Sequence, residues 1–188
     1  MATTRLVIDG YGQIELNNVA FRRDGRIEAQ CAPSTTDFSN AKVENGMLLA
    51  VDAVAREISV PTDDSLPVAL NYSAEHIYDE RTPGLKSFAL NAVDDFYPRL
   101  GYLAVGDKFT TNCVSFDSAK DSTWTSQSAF VSALGSYATV PLYGGIGSDD
   151  GSILVSASAP TQGPKLKVVE KTTMPDGTLG IKFQVITD

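Results

Sequence analysis

Residues 165–186 decide the fold class, and they read KLKVVEKTTMPDGTLGIKFQVI. From Leu179 to Val185, large apolar residues alternate with small or polar ones, so one face of this segment is expected to be buried and the other wet. The two halves of the segment are separated by Met174-Pro175-Asp176-Gly177. The proline presets φ at a central turn position, and the glycine suits a left-handed one. The segment therefore predicts an antiparallel hairpin with one buried face.

Three further hairpins are predicted by short apolar runs on either side of a turn signal. They pair residues 18–23 with 26–31 around Asp24-Gly25, residues 46–52 with 55–60, and residues 102–105 with 108–114 around Gly106-Asp107. The Asp-Gly pair is typical of a type I′ turn, and the Gly-Asp pair suits a type II′ turn. Residues 5–9, 67–72 and 152–156 are additional strand candidates.

Residues 121–137 are the best helix candidate in the chain. Ser122 or Thr123 is placed to accept a hydrogen bond from the first turn, and Phe130 and Leu134 stand four positions apart on one face. Gly135 then suits the end of the helix.

From these strands, hairpins and the helix we predict a mainly β fold: a single-domain β-barrel or β-sandwich over residues 1–188, with several hairpins and one short helix.

Charge and hydropathy exclude two classes of partner. The chain has 188 residues, with 15 Lys and Arg against 23 Asp and Glu, and a net charge of -8. Nucleic-acid binders depend on basic residues that neutralise phosphates, so no nucleic-acid partner is expected. No run approaches the roughly 20 apolar residues of a membrane span, so no membrane partner is expected either.

The chain has few histidine and cysteine residues to serve in catalysis or metal binding. His76 is the single histidine, and Cys31 and Cys113 are far apart in the sequence. We expect two reduced core thiols, with a disulfide and a nucleophilic cysteine paired to His76 as the alternatives. On a helix, His76, Asp79 and Glu80 would share one face, but a two-histidine metal site lacks its second histidine. We therefore expect that the chain is not an enzyme and that it has no catalytic residue, metal site or cofactor.

Arg22, Arg23 and Arg26 are concentrated basic residues in an otherwise acidic chain. Arginine makes planar, bidentate contacts with carboxylates and is enriched in protein interfaces. These three residues are therefore the candidate partner interface, with an acidic protein or a second copy of the chain as the partner. The alternative is that they are exposed charges that discourage edge-to-edge aggregation.

Several sequence strings resemble a family of uncharacterised structural proteins of tailed bacteriophages. The strings are IDGYGQ (8–13), LNNVAFRRDGRIEAQ (16–30), ENGMLLAVD (44–52), RLGYLAVGDKFTTN (99–112) and MPDG (174–177). The resemblance implies a virion protein assembled in the host cytoplasm. It further implies a capsid decoration protein that binds the major capsid protein lattice and stabilises the head, with self-association as a second mode of contact.

Two other functions stay open at this point. The first is a tail-tube or head–tail joining protein, which belongs to the same structural class. The second is a β-barrel module that binds a ligand or glycan, with Trp124 and the tyrosines as stacking platforms.

Overall fold

The computed structural model describes residues 3–7, 11–23, 27–39, 42–73, 97–119 and 124–187. Within these ranges the fold is mainly β, as predicted, with two sheets and one helix. In chain order the elements are β1 (Thr4–Arg5), β2 (Ile14–Asn18), β3 (Ala29–Gln30), β4 (Ala32–Pro33), β5 (Leu48–Asp52), β6 (Glu57–Ser59), β7 (Val68–Asn71), β8 (Arg99–Gly101), β9 (Lys108–Thr111), β10 (Val114–Phe116), α1 (Gln127–Leu134), β11 (Tyr143–Gly145), β12 (Ile153–Ser156), β13 (Lys165–Thr173) and β14 (Leu179–Thr187).

The larger sheet has eight strands in the order β1-β10-β12-β11-β13-β14-β9-β2. Its pairs are antiparallel except for β10 and β12, which run parallel. Only Asn112 and Cys113 separate β9 from β10, so the chain passes directly between strands that stand near opposite ends of this order. The buried Asn112 side chain accepts a hydrogen bond from the Gln13 N–H (2.6 Å) and donates one to the Tyr11 carbonyl (3.1 Å). The sheet is therefore nearly closed, like a barrel.

The smaller sheet has six strands in the order β3-β8-β7-β5-β6-β4. Leu48 and Leu70 of this sheet belong to the same buried cluster as Phe109 and Phe183 of the larger sheet. The two phenylalanine rings lie 5.8 Å apart. Each such side chain contributes about 1.5–3 kcal/mol when fully buried, so this shared cluster joins the two sheets.

The helix forms, but it is shorter than the predicted 121–137. Helix α1 begins after Ser126, whose hydroxyl accepts a hydrogen bond from the Ala129 N–H (3.2 Å), and it ends at Gly135. The predicted cap at Ser122 or Thr123 lies outside the described residues. Phe130 and Leu134 are both fully buried, which confirms the face predicted from their spacing.

Two predicted hairpins are confirmed. Strands β5 and β6 pair antiparallel across a short turn, and β13 and β14 form the long C-terminal hairpin. In that turn the Gly177 N–H donates to the Met174 carbonyl (2.9 Å), and Gly177 adopts a φ of +88°. The strand candidates at 67–72 and 152–156 correspond to β7 and β12.

The other two predicted hairpins are wrong, because the strands on either side of each turn signal belong to different sheets. Of residues 18–31, Asn18 ends β2, which pairs with β9 in the larger sheet, and Ala29–Gln30 form β3, which pairs with β8 in the smaller sheet. The Asp24-Gly25 turn itself lies outside the described residues. The 102–114 segment likewise links β8 of the smaller sheet to β9 of the larger. Gly106 occupies the second central turn position with a φ of +100°, which is the type II arrangement rather than type II′.

We predict that Gly177→Val lowers the free energy of unfolding by about 1–2 kcal/mol, because valine is strained in the left-handed region. No atom lies within 4 Å of the position where a Cβ would stand, so the loss reflects backbone strain and not a clash. Urea unfolding monitored by circular dichroism measures it. Gly177→Asn is the control, because asparagine tolerates this conformation better. An unchanged midpoint for the valine variant would remove this turn assignment.

Candidate partner-binding groove

The structure describes two of the three predicted interface arginines. Arg23 has a side chain that is 77% exposed, and its Nε lies 3.9 Å from the Glu28 carboxylate. Arg22 is also exposed, but its guanidinium lies over the Tyr102 ring, 5.7 Å from the centroid. Arg26 lies outside the described residues. The two described arginines are therefore adjacent in sequence but differ in surroundings, and Arg22 lines a groove to which Arg23 does not contribute.

The backbone of the neighbouring residue fixes the direction of Arg22. Phe21 adopts a φ of +54°, which is unusual for a bulky side chain and costs about 1–2 kcal/mol. Its ring is buried, lies 4.7 Å from the Tyr72 ring, and packs so closely on Gly101 that a Cβ there would be 2.6 Å from it. Arg22 then donates its backbone N–H to the Tyr102 carbonyl (3.0 Å). Packing therefore holds a strained backbone that presents Arg22 beside Tyr102.

The Asp107 carboxylate stabilises this arrangement. It is 4% exposed and accepts three backbone hydrogen bonds, from the N–H groups of Ala20 (2.9 Å), Phe21 (3.2 Å) and Ala104 (2.9 Å). A buried carboxylate is costly unless such donors replace its water. Asp107 therefore joins the segment that carries Arg22 to the turn that follows Tyr102.

Arg22 and Tyr102 line a groove of about 490 Å³ where the two sheets meet, which we call the sheet-junction groove. Its lining comprises Arg22, Asp64, Ser65, Leu66, Pro67, Val68, Tyr102, Leu103, Thr161, Gly163, Pro164, Lys165 and Thr187. Strand β7 contributes from the smaller sheet, and β13 and β14 contribute from the larger. The charged lining residues are two cations, Arg22 and Lys165, and one carboxylate, Asp64. The groove is thus basic on balance in a chain whose net charge is -8.

A second polar cluster holds the first strand in place. The Arg5 guanidinium contacts the Glu44 carboxylate, lies 3.4 Å from Asp150 Oδ2, and donates to Cys113 Sγ at 3.1 Å. Burial alone would lower the pKa of Arg5, but Cys113, Glu44 and Asp150 together raise it above its ordinary value. Arg5 therefore stays charged, and the cluster pins β1 to residues distant in sequence.

Both cysteines are free and buried, which confirms the expected reduced thiols; the disulfide alternative is wrong. Burial raises the pKa of Cys113 to about 12, against the opposing effect of the Arg5 charge. A thiol with so high a pKa is protonated near neutrality and is a poor nucleophile. His76, with Glu75, Asp79 and Glu80, lies outside the described residues, so its pairing with a cysteine stays a prediction.

The described ranges give little support to a glycan-stacking platform at Trp124 or to a metal site. Trp124 is 4% exposed and packs 5.1 Å from the Phe130 ring, so it cannot be the stacking platform that a glycan-binding module would use. Where the structure describes the chain, no three His, Cys, Asp or Glu residues cluster as metal ligands would. No described helix combines the length and apolar character needed to span a membrane.

Comparison with family models, curated proteins and solved structures found no match to this chain.

Of the residues that line the groove, the sequence pattern had predicted an interface role for Arg22 alone. Asp64, Tyr102 and Lys165 are far apart in the sequence, and only the meeting of two sheets brings them onto one surface. Arg22 had a local signal, because it belongs to a group of arginines in an acidic chain.

We predict that Asp107→Asn lowers the free energy of unfolding by about 1–3 kcal/mol. An asparagine side chain has one accepting oxygen, and its amide would face N–H groups that the carboxylate now satisfies. Urea unfolding measures the loss. The exposed Asp64→Asn is the control, and we expect it to remain within about 0.5 kcal/mol of the parent. Equal stabilities for the two variants would contradict the role given to Asp107.

We predict that Cys113 resists alkylation by iodoacetamide at pH 8 in the folded chain and reacts readily in urea. Burial and the raised pKa together should slow the native reaction by at least about a hundredfold. The measurement uses mass spectrometry on a Cys31→Ser chain, so that Cys113 alone is followed. Equal rates with and without urea would show that Cys113 is an accessible thiolate.

Proposed function

We propose that this chain is a structural virion protein of a tailed bacteriophage: a capsid decoration protein that binds the major capsid protein lattice and stabilises the head. The observation that carries the proposal is the sheet-junction groove, which presents Arg22 and Tyr102 at the surface of a β framework. Arginine and tyrosine are enriched where proteins bind proteins. The sequence strings that resemble phage structural proteins narrow the class of partner to a capsid.

The composition supports assembly in the host cytoplasm before incorporation into the virion. Cys31 and Cys113 are both free thiols, which fits a reducing compartment, although burial also protects them. A net charge of -8 keeps free subunits apart and soluble until they meet a complementary surface. The proposed role is adhesion, without catalysis and without a cofactor.

A preformed binding surface suits adhesion to a lattice. Strands β7, β13 and β14 each contribute one lining residue and Asp107 holds the turn after Tyr102, so this part of the groove loses little conformational entropy when a partner binds. Repeated binding of one rigid protein across a lattice ties neighbouring capsid subunits together. That is how a decoration protein of this kind would stabilise the head.

A second candidate is a ligand- or glycan-binding module. It is favoured by the groove volume of about 490 Å³, which lies in the range of small-molecule sites. Tyr102 takes the stacking role that the buried Trp124 cannot. A tail-tube or head–tail joining protein remains the alternative within the virion class, and self-association remains the second mode of contact.

The proposal predicts that the purified chain co-sediments with capsids of its phage that lack it, saturating at a fixed ratio to the major capsid protein. Decorated capsids should also withstand higher temperatures than bare ones, because binding to the folded lattice stabilises it. Sedimentation followed by quantitative gel analysis measures the ratio, and scanning calorimetry measures the stabilisation.

Three outcomes would contradict the decoration role. The first is no binding to capsids at any concentration. The second is assembly of the chain alone into rings or tubes, which would indicate a tail component. The third is retention on a glycan array together with failure to bind capsids, which would indicate the ligand-binding module.

A further inference from the structure

We infer that the sheet-junction groove binds an extended, acidic peptide segment of the protein partner. A carboxylate of that segment lies between Arg22 and Lys165, and an adjoining apolar side chain rests against Leu66, Pro67 and Val68. The inference rests on the proposed function, because it names the contact through which the chain holds its partner. It goes beyond that function by specifying the chemistry of what is held.

Charge identifies the ligand as acidic. Arg22 and Lys165 outnumber Asp64 in the lining, while the chain as a whole carries -8. An anionic side chain is therefore attracted locally to a site that the rest of the surface does not favour. That overall charge disfavours the polyanionic backbone of a nucleic acid, which needs many phosphates neutralised along its length. A peptide with one or two carboxylates suits the small basic area.

Side chains supply the contacts of the proposed peptide. The lining residues Val68, Lys165 and Thr187 stand at the ends of β7, β13 and β14, where the ladders pair Val68 with Ala50 and Lys165 with Thr187. The proposed contacts are the cations, the hydroxyls of Ser65, Thr161 and Thr187, and the apolar lining.

The local backbone holds Arg22 in position before any ligand arrives. Phe21 is kept at a φ of +54° by burial and by the Asp107 carboxylate, which accepts its N–H at 3.2 Å. Strain of this kind persists where the surrounding structure over-determines it, and such positions concentrate at binding sites. The ring of Tyr102 beneath the guanidinium restricts it further. The Tyr102 ring and the Phe21 backbone therefore hold Arg22 in position to receive a carboxylate.

The test is a titration of the ¹⁵N-labelled chain with a capped hexapeptide of alternating leucine and aspartate, followed by NMR. Its leucine–asparagine counterpart is the ligand control. We expect amide shifts concentrated at groove residues such as Val68, Leu103 and Thr161, and binding at least about tenfold weaker for the asparagine peptide.

Charge-reversal variants locate the binding. Arg22→Glu combined with Lys165→Glu should weaken binding of the aspartate peptide at least about tenfold, and Arg22→Gln should weaken it by a smaller factor. Lys167→Glu is the matched control for charge, because Lys167 is exposed on the same strand and does not line the groove; we expect a change of less than about twofold. Unchanged circular dichroism establishes that each variant folds. If the double variant does not fold, the Arg22→Gln result decides.

Equal affinity for the two peptides, shifts outside the groove, or equal effects of the Arg22 and Lys167 substitutions would overturn the inference. The peptide titration involves no capsid, so its failure is distinct from failure of the decoration role. Capsid binding that persists while the groove variants bind no peptide would leave the decoration role standing. It would also refute the claim that the groove is the contact.

Discussion

One buried carboxylate joins the two segments in which the chain passes between its sheets. Asp107 accepts N–H groups from Ala20, Phe21 and Ala104, and so joins the chain leaving β2 to the turn between β8 and β9. Those two segments are where the chain crosses between the sheets, and backbone hydrogen bonds also hold them, from the Arg22 N–H to the Tyr102 carbonyl and from the Gly106 N–H to the Val185 carbonyl. The left-handed backbone of Phe21 and the position of Arg22 both depend on that carboxylate. The groove therefore depends on the hydrogen bonds that Asp107 accepts where the chain crosses between the sheets.

Polar side chains also join distant segments at places where the chain does not change sheets. Asn112 bonds the segment that precedes β2, and the Arg5 guanidinium joins β1 to Glu44 and Asp150. Apolar burial supplies most of the stability, but it is non-directional and would tolerate other pairings. These polar contacts select one of those pairings. Their partners are distant in sequence, so the selection is made only in the folded chain.

The sequence correctly predicted features that neighbouring residues determine. Its predictions were wrong where the interacting residues are distant in the sequence. The C-terminal hairpin was predictable because its alternation and its Gly177 turn are encoded within one segment. The Asp24-Gly25 and Gly106-Asp107 signals were equally strong, but the strands beside them pair with other strands, and a turn signal does not specify its sheet. Of the site, only Arg22 had a local signature. Tyr102 and Lys165 join it through tertiary structure alone.

A decoration protein must present a fixed surface repeatedly to an ordered lattice, and we propose that this chain does so through its sheet-junction groove. Electron cryomicroscopy of purified particles of the phage is the decisive measurement. We expect density for this chain at regular positions on the outside of the shell, with Arg22 and Lys165 facing a carboxylate-bearing segment of a capsid subunit. A particle in which the chain is absent from the shell, occupies the tail, or turns this groove toward solvent would contradict it.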